Sequence, residues 1–275
     1  MRGKTTQKAD NAETKLRSRN SMKKKTRIFA VSNQKGGSGK TTTAVNLSAA
    51  LGENGKSVLL VDLDPQASAT TWFAVKNAER GIYDCLTGNT LIKSITCKTS
   101  APGVDVVPAS TWLVGVEKAL AAEVGAETIL KRRLAEVSGY DYILLDCPPS
   151  LGLLTVNALT AAGELLIPVE THIMALGGLA QLLQTFEYVK ERLNSGLCLA
   201  GILACRADSR TRHAQDIIDQ LRKRFPKDTL KTVVRENVRL AEAPSFGQPI
   251  TQYDTSSHGA QDYRALAREI IKQEN

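Results

Sequence analysis

Residues 28–51 hold the feature that most restricts what this chain can fold into. Ile28-Phe29-Ala30-Val31 reads as a buried strand, and residues 43–51 read as a helix. Between them runs Gln34-Lys35-Gly36-Gly37-Ser38-Gly39-Lys40-Thr41-Thr42. A glycine-rich loop joining a strand to a helix start turns successive backbone N–H groups toward one anion. The helix adds its unpaired N–H groups and the positive end of its dipole. Gly36, Gly37, Ser38, Gly39, Lys40, Thr41 and Thr42 are therefore the expected phosphate contacts. Lys40 is placed to reach the β- and γ-phosphates, and the Thr41 hydroxyl to hold Mg²⁺. The loop departs from G-x-x-x-x-G-K-[ST], because Gln34 stands where the first glycine would be and a second lysine, Lys35, follows it.

The rest of the chain alternates in a way that suits such a loop. Short runs rich in Val, Ile and Leu at 27–32, 57–62, 104–108, 142–146, 165–169, 199–205 and 231–234 read as strands. Helical patterns lie between them, among them 176–193 and 212–225. Continuous apolar strands are those covered on both faces. The expectation is a doubly wound α/β fold of the P-loop type, with a mostly parallel sheet flanked by helices and one domain over 27–275. Ligands of such sheets sit at the carboxyl ends of the strands. Two strands end there in carboxylates: Val61-Asp62-Leu63-Asp64-Pro65 and Leu145-Asp146-Cys147-Pro148. A carboxylate at the end of an apolar strand holds Mg²⁺ directly or through water. Asp146 is the first candidate and Asp62 a second. Asp62 and Asp64 would share a face on a regular strand, but Pro65 forces an early turn.

Charge is unevenly placed. Residues 1–27 carry ten Lys or Arg against Asp10 and Glu13, which accounts for the whole net charge of +8. Residues 1–26 are expected to be a disordered basic tail, able to strengthen phosphate-backbone binding or simply to be solvated. Residues 206–239 hold ten basic and five acidic side chains. A basic segment on an otherwise acidic body is the footprint of a surface turned to nucleic acid, although solvated helix faces also carry such runs. No apolar run is long enough to span a membrane, and no apolar segment follows the basic start as in a secretory signal. The five cysteines are scattered without a C-x-x-C pair, which suggests reduced thiols in a cytoplasmic protein.

The K-G-G-x-G-K-T-T loop resembles the deviant Walker A loop of the ParA/MinD ATPases. With D-x-D-P-Q at 62–66, Y-D-Y-I-L-L-D-C-P-P-S-L at 140–151 and N-V-R-L-A-E-A-P-S-F-G-Q-P-I at 237–250, the chain is similar to the ParA partition ATPases over about residues 27–270, and to their Soj-like branch most. This resemblance implies a Mg²⁺-dependent ATPase whose cofactors are ATP and Mg²⁺. Lys35, Lys40 and Asp64 would be catalytic, with Lys35 reaching the partner's nucleotide in an ATP-dependent homodimer and Asp64 positioning the attacking water. Thr41 and Asp146 would hold the metal, with Asp62 a further candidate, and Asn237 would contact the base. The dimer would bind double-stranded DNA without sequence preference through Arg210 and Arg239. A ParB-like activator would stimulate hydrolysis and release, in the cytoplasm and on the nucleoid. Three departures bear on this: Val234-Arg235-Glu236-Asn237-Val238 in place of I-P-R-N-V, Cys205 in place of a frequent Thr, and Ala67-Ser68 in place of Gly-Asn.

Other readings predict different features. A MinD-like membrane ATPase needs an amphipathic C-terminal helix. Residues 263–275 are short and carry Glu269 and Glu274, and they read instead as a helix docked on the sheet. A DNA-binding repressor needs an N-terminal reading domain, for which 26 polar residues are too few. ParA-type motors also position carboxysomes and chemoreceptor clusters, so the motifs specify a motor and leave its cargo open.

Overall fold

The computed structural model describes residues 25–75, 80–172, 175–208 and 210–274. The tail expected at 1–26 therefore lies almost wholly outside the described residues. The strands are β1 (Arg27–Val31), β2 (Val58–Asp62), β3 (Cys97–Lys98), β4 (Val104–Val107), β5 (Tyr142–Asp146), β6 (Glu164–Glu170), β7 (Cys198–Ala207) and β8 (Thr229–Arg235). They form one sheet in the order β3-β4-β2-β5-β1-β6-β7-β8. All pairings are parallel except that of β3 with β4. Every strand expected from the apolar runs is present. The unforeseen β3 is two residues long, too short to show a period.

The apolar runs alternate between two cores, which is why the central ones, β2 and β5, carry no polar residue before their closing carboxylates. Ala30, Val61, Ile143, Leu145 and Ile167 face one side. There they meet helices α3 (Leu153–Ala161), α4 (Ala175–Arg192) and α5 (Arg212–Arg224) through Ala158, Leu182 and Ile217. Phe29, Val31, Leu60 and Leu144 face the other side. Helix α1 (Lys40–Glu53) and the last helix, which ends the described fold at His258–Lys272, cover it through Leu47, Leu51, Leu266 and Ile270. Two shorter helices matter for the site: α2 (Ser68–Trp72) and α6 (Val238–Glu242). The last helix is thus α7.

Helix α7 turns its apolar stripe inward, and Tyr263, Leu266 and Ile270 are each at most 1% exposed. That burial contributes about 1.5–3 kcal/mol per side chain. Polar contacts fix its far end. Arg27 donates to both oxygens of Glu164 and to the Ile270 carbonyl at 2.7 Å, and its guanidinium lies over the Phe29 ring. Tyr142 donates to Glu274, which also pairs with Lys56 at 3.5 Å. The segment that an amphipathic anchor would use is spent on packing. Among the described residues, no helix is long and apolar enough to cross a membrane.

Strand β1 is the switch point of the sheet: β5 and β2 lie to one side of it and β6 to the other. The loop leaving β1 therefore opens into the crevice where strand order reverses.

Candidate active site

The glycine-rich loop is held by its own side chains before any ligand is considered. Asn33 donates to the Pro168 carbonyl at 2.6 Å and accepts from the Lys35 N–H at 3.0 Å. Gly37 and Gly39 have φ of 75° and 90°, in the left-handed region that side chains avoid. Gly39 stands immediately before α1, and its carbonyl takes the Thr43 N–H at 2.8 Å. A Cβ on Gly36 or Gly37 would meet no protein atom within 4 Å, so the loop's concave side is open. It faces a cleft of about 1180 Å³, lined also by Asp64, Trp72, Arg206, Asn237 and Tyr263. Lys40 is only 6% exposed and donates to the Lys35 carbonyl at 3.3 Å. Burial lowers its pKa against the opposing pull of Asp146, Cys147 and Asp64.

Parallel register sets Asp146 beside Val31 on one side and Asp62 on the other. The two carboxylates differ in what they touch. Asp62 accepts from the Asp64 N–H at 3.1 Å, the Thr70 N–H at 2.8 Å and the Thr70 hydroxyl at 2.7 Å. Thr70 in turn accepts from the Ala109 N–H at 2.9 Å, so this network ties the loop after β2 to the end of β4. Asp146 is fully buried, and among the described residues neither of its oxygens makes a well-formed hydrogen bond, the Thr41 hydroxyl being the side-chain donor that acts on it. Burial first, and then the charge of Asp62, drive its pKa well above the ordinary carboxylate range. Burial likewise pushes Asp62 up to about 6, against the donors from Thr70. A buried carboxylate so poorly satisfied requires a partner. With Thr41 and Lys40 beside it, the donor set suits a hard divalent cation bound to phosphate. Asp64 is 7% exposed, lines the cleft and accepts from the Gln66 N–H at 2.9 Å.

A family model described as an AAA domain matches residues 26–199. Soj, the sporulation initiation inhibitor protein of Bacillus subtilis, is 47% identical over 247 residues, which are 89% of this chain and 98% of Soj. The chromosome-partitioning ATPase Soj of Thermus thermophilus is 48% identical, over 91% of this chain and 97% of its own. The chain belongs to the ParA/Soj family of partition ATPases. It is an ATP-hydrolysing enzyme. Among solved structures, cobyrinic acid a,c-diamide synthase from Mycobacterium smegmatis with bound ATP analogue and magnesium superposes with a TM-score of 0.80 and 34% identity, covering 90% of this chain and 96% of that one.

The three departures from the usual ParA/Soj residues all reach the cleft lining, through Ser68, Cys205 and residues 234–238. Cys205 is buried under the loop, with its sulfur 3.9 Å from the Thr43 hydroxyl, and burial pushes its thiol up to about 12. Arg235 is bound through its side chain to Asp262 of α7, the shortest contact being 2.6 Å. Asn237 lines the cleft, and its side chain caps α6 by accepting from the Arg239 N–H at 2.8 Å. Arg210 is 86% exposed and pairs with Asp208 at 2.9 Å, while Arg239 pairs with Glu242 at 2.8 Å and Asp254 at 3.7 Å.

Three residues of this ParA/Soj site were not foreseen in the sequence. Thr70 organises Asp62 from eight residues away, a spacing with no motif. Arg206 enters the cleft from a left-handed backbone position. Glu170 ends β6 and accepts from Lys35. The rule that singled out Asp62 and Asp146, a carboxylate closing an apolar strand, applies equally to Glu170.

Proposed function

We propose that this chain is an ATP-driven DNA-binding switch that segregates or positions chromosome or plasmid DNA in the cytoplasm. Buried Lys40 and poorly satisfied Asp146, brought together at the mouth of the glycine loop, are the observation that carries the reading. Mg²⁺ on Thr41 and Asp146 neutralises charge on the phosphates when it is bound. The loop N–H groups from Gly36 to Thr42 orient the triphosphate, and Lys40 offsets charge that develops on the transferring group. Asp64, held at the cleft wall by the Asp62–Thr70 network, orients the attacking water. Asn237 borders the base. Lys35 supplies the additional cation needed when two nucleotides face each other across a dimer. The ATP-bound dimer holds DNA through phosphate contacts from Arg210 and Arg239, and a ParB-like activator triggers hydrolysis and release.

Binding of a non-specific duplex with ATP, ADP or no nucleotide, at two salt concentrations, tests this. The full chain is compared with a version lacking residues 1–26. Tight binding with ATP alone, falling steeply with salt and retained without the tail, is expected. Binding that ignores nucleotide and vanishes with the tail would overturn the switch and leave a passive polycation on an ATPase with another track.

A further inference from the structure

Lys35 is engaged within its own chain. Its ammonium donates to Glu170 Oε2 at 2.8 Å. The other oxygen of Glu170 takes Arg206 at 3.1 Å, and Arg206 also lies 3.7 Å from Glu236. Strand register places Glu170 opposite Cys205, directly before Arg206. Arg206 has φ of 51°, a conformation that costs an L-residue energy and is kept only where its surroundings hold it. Burial would raise the pKa of Glu170, but the Lys35 hydrogen bond and charge, with Arg206 and His172, hold it below the usual range. Gly36, Gly37 and Lys40 line the cleft, while Lys35 and Glu170 sit beside it. The pair thus holds Lys35 outside the cleft lining to which Lys40 belongs.

We propose that Glu170 is a resident counter-ion that restrains Lys35, and that two ATP-loaded chains assemble by exchanging Glu170 for the partner's nucleotide as the anion bound to Lys35. This rests on the reading above that Lys35 acts across the dimer. The exchange favours a triphosphate over a single carboxylate because the incoming group carries more charge and more acceptor oxygens. It favours a diphosphate less, because that group presents less of both. Glu170 therefore sets a threshold that nucleotide must exceed before dimerisation. Lys35 is 34% exposed in this pair and Glu170 19%, so the restraint is modest. Release is expected to cost roughly threefold per protomer, hence about tenfold for a dimer in which two pairs open.

Sedimentation of the full-length protein with saturating non-hydrolysable ATP analogue and Mg²⁺ measures the monomer–dimer constant apart from nucleotide affinity. Glu170→Gln is expected to dimerise about tenfold more tightly than wild type. Glu170→Asp, one methylene shorter, is expected to shift the same way by less, and it serves if the amide variant misfolds. Lys35→Ala and Lys35→Ala/Glu170→Gln are both expected to stay monomeric. Unchanged or weaker dimerisation of the Glu170 variants overturns the restraint. So does a double variant that dimerises as Glu170→Gln does, because the effect then bypasses Lys35. Failure of the underlying reading looks different: Lys35→Ala alone would dimerise like wild type.

Discussion

Asp146 places a carboxylate where burial most opposes ionisation, with no well-formed hydrogen bond on either oxygen and only the Thr41 hydroxyl and Lys40 to offset its charge. Such a position costs stability and is retained only for what the charge binds. Asp146→Asn is expected to raise unfolding stability without nucleotide by about 1–3 kcal/mol while removing Mg²⁺-dependent ATP hydrolysis. The sign of the pH dependence follows from the raised pKa. Between the unfolded carboxylate value near 4 and the raised folded values, including about 6 for Asp62, the folded protein holds more protons than the unfolded one. Wild-type stability therefore falls as pH rises through that window, and the variant should lose much of the slope. Thermal melts of both proteins from pH 4 to 8 check this, and parallel curves would refute it. Lys40, Thr41 and Asp146 were legible because a fixed spacing and a strand end mark them. Lys35 was legible as a cation but not as a paired one, since Glu170 lies 135 positions away. Its partner is set by the β1–β6 adjacency, which no local pattern encodes.

At the scale of elements, the loop from Asp62 to α2 is the clearest device. The resemblance implies Asp62 as a further metal candidate after Asp146, and Asp64 as the residue that positions water. In the fold, Asp62 takes three donors from that loop and from Thr70. It is thereby suited to fix the loop on which Asp64 stands. Thr70→Val keeps shape and backbone N–H but removes the hydroxyl that joins Asp62 to the Ala109 N–H. Loss of this buried bond is expected to cost about 1–3 kcal/mol of stability. It should lower kcat about tenfold, by misplacing Asp64, with KM for ATP changed less than about twofold. Steady-state kinetics separate the two, and a rise in KM at constant kcat would mean that Thr70 serves binding alone. The central strands were readable because each is a short apolar run buried on both faces. The chain pattern does not show which strands adjoin, and adjacency is what brings Asp62 beside Asp146 and β4 beneath Thr70.

At the scale of the whole molecule, the cleft reaches an exposed basic side chain. Arg210 lines the same cleft as Asp64 and Asn237 while exposing 86% of its side chain. A raw count of charge over 206–239 overstates the basic surface, because Arg235 is bound by Asp262 and Arg239 by Glu242 and Asp254. All three partners lie beyond residue 239, outside the counted segment, so the count could not discount them. Arg210 pairs with its near neighbour Asp208, whose pKa it draws down to about 2, and feels the charge of Glu236. A phosphate can share Arg210, the exposed member of that pair, with the half-buried carboxylate at little cost. Arg210→Glu would leave two acidic groups where a phosphate must approach. It is expected to weaken ATP-dependent duplex binding by roughly tenfold or more and to flatten its salt dependence. ATP-dependent dimerisation, which draws on the loop lysines instead, should persist. Duplex titration and sedimentation on the same preparation separate the two. Retained dimerisation with lost DNA binding assigns this side chain to DNA. Loss of both would mean that Arg210 belongs to the dimer contact, and unchanged DNA affinity would move the DNA surface away from Arg210 altogether.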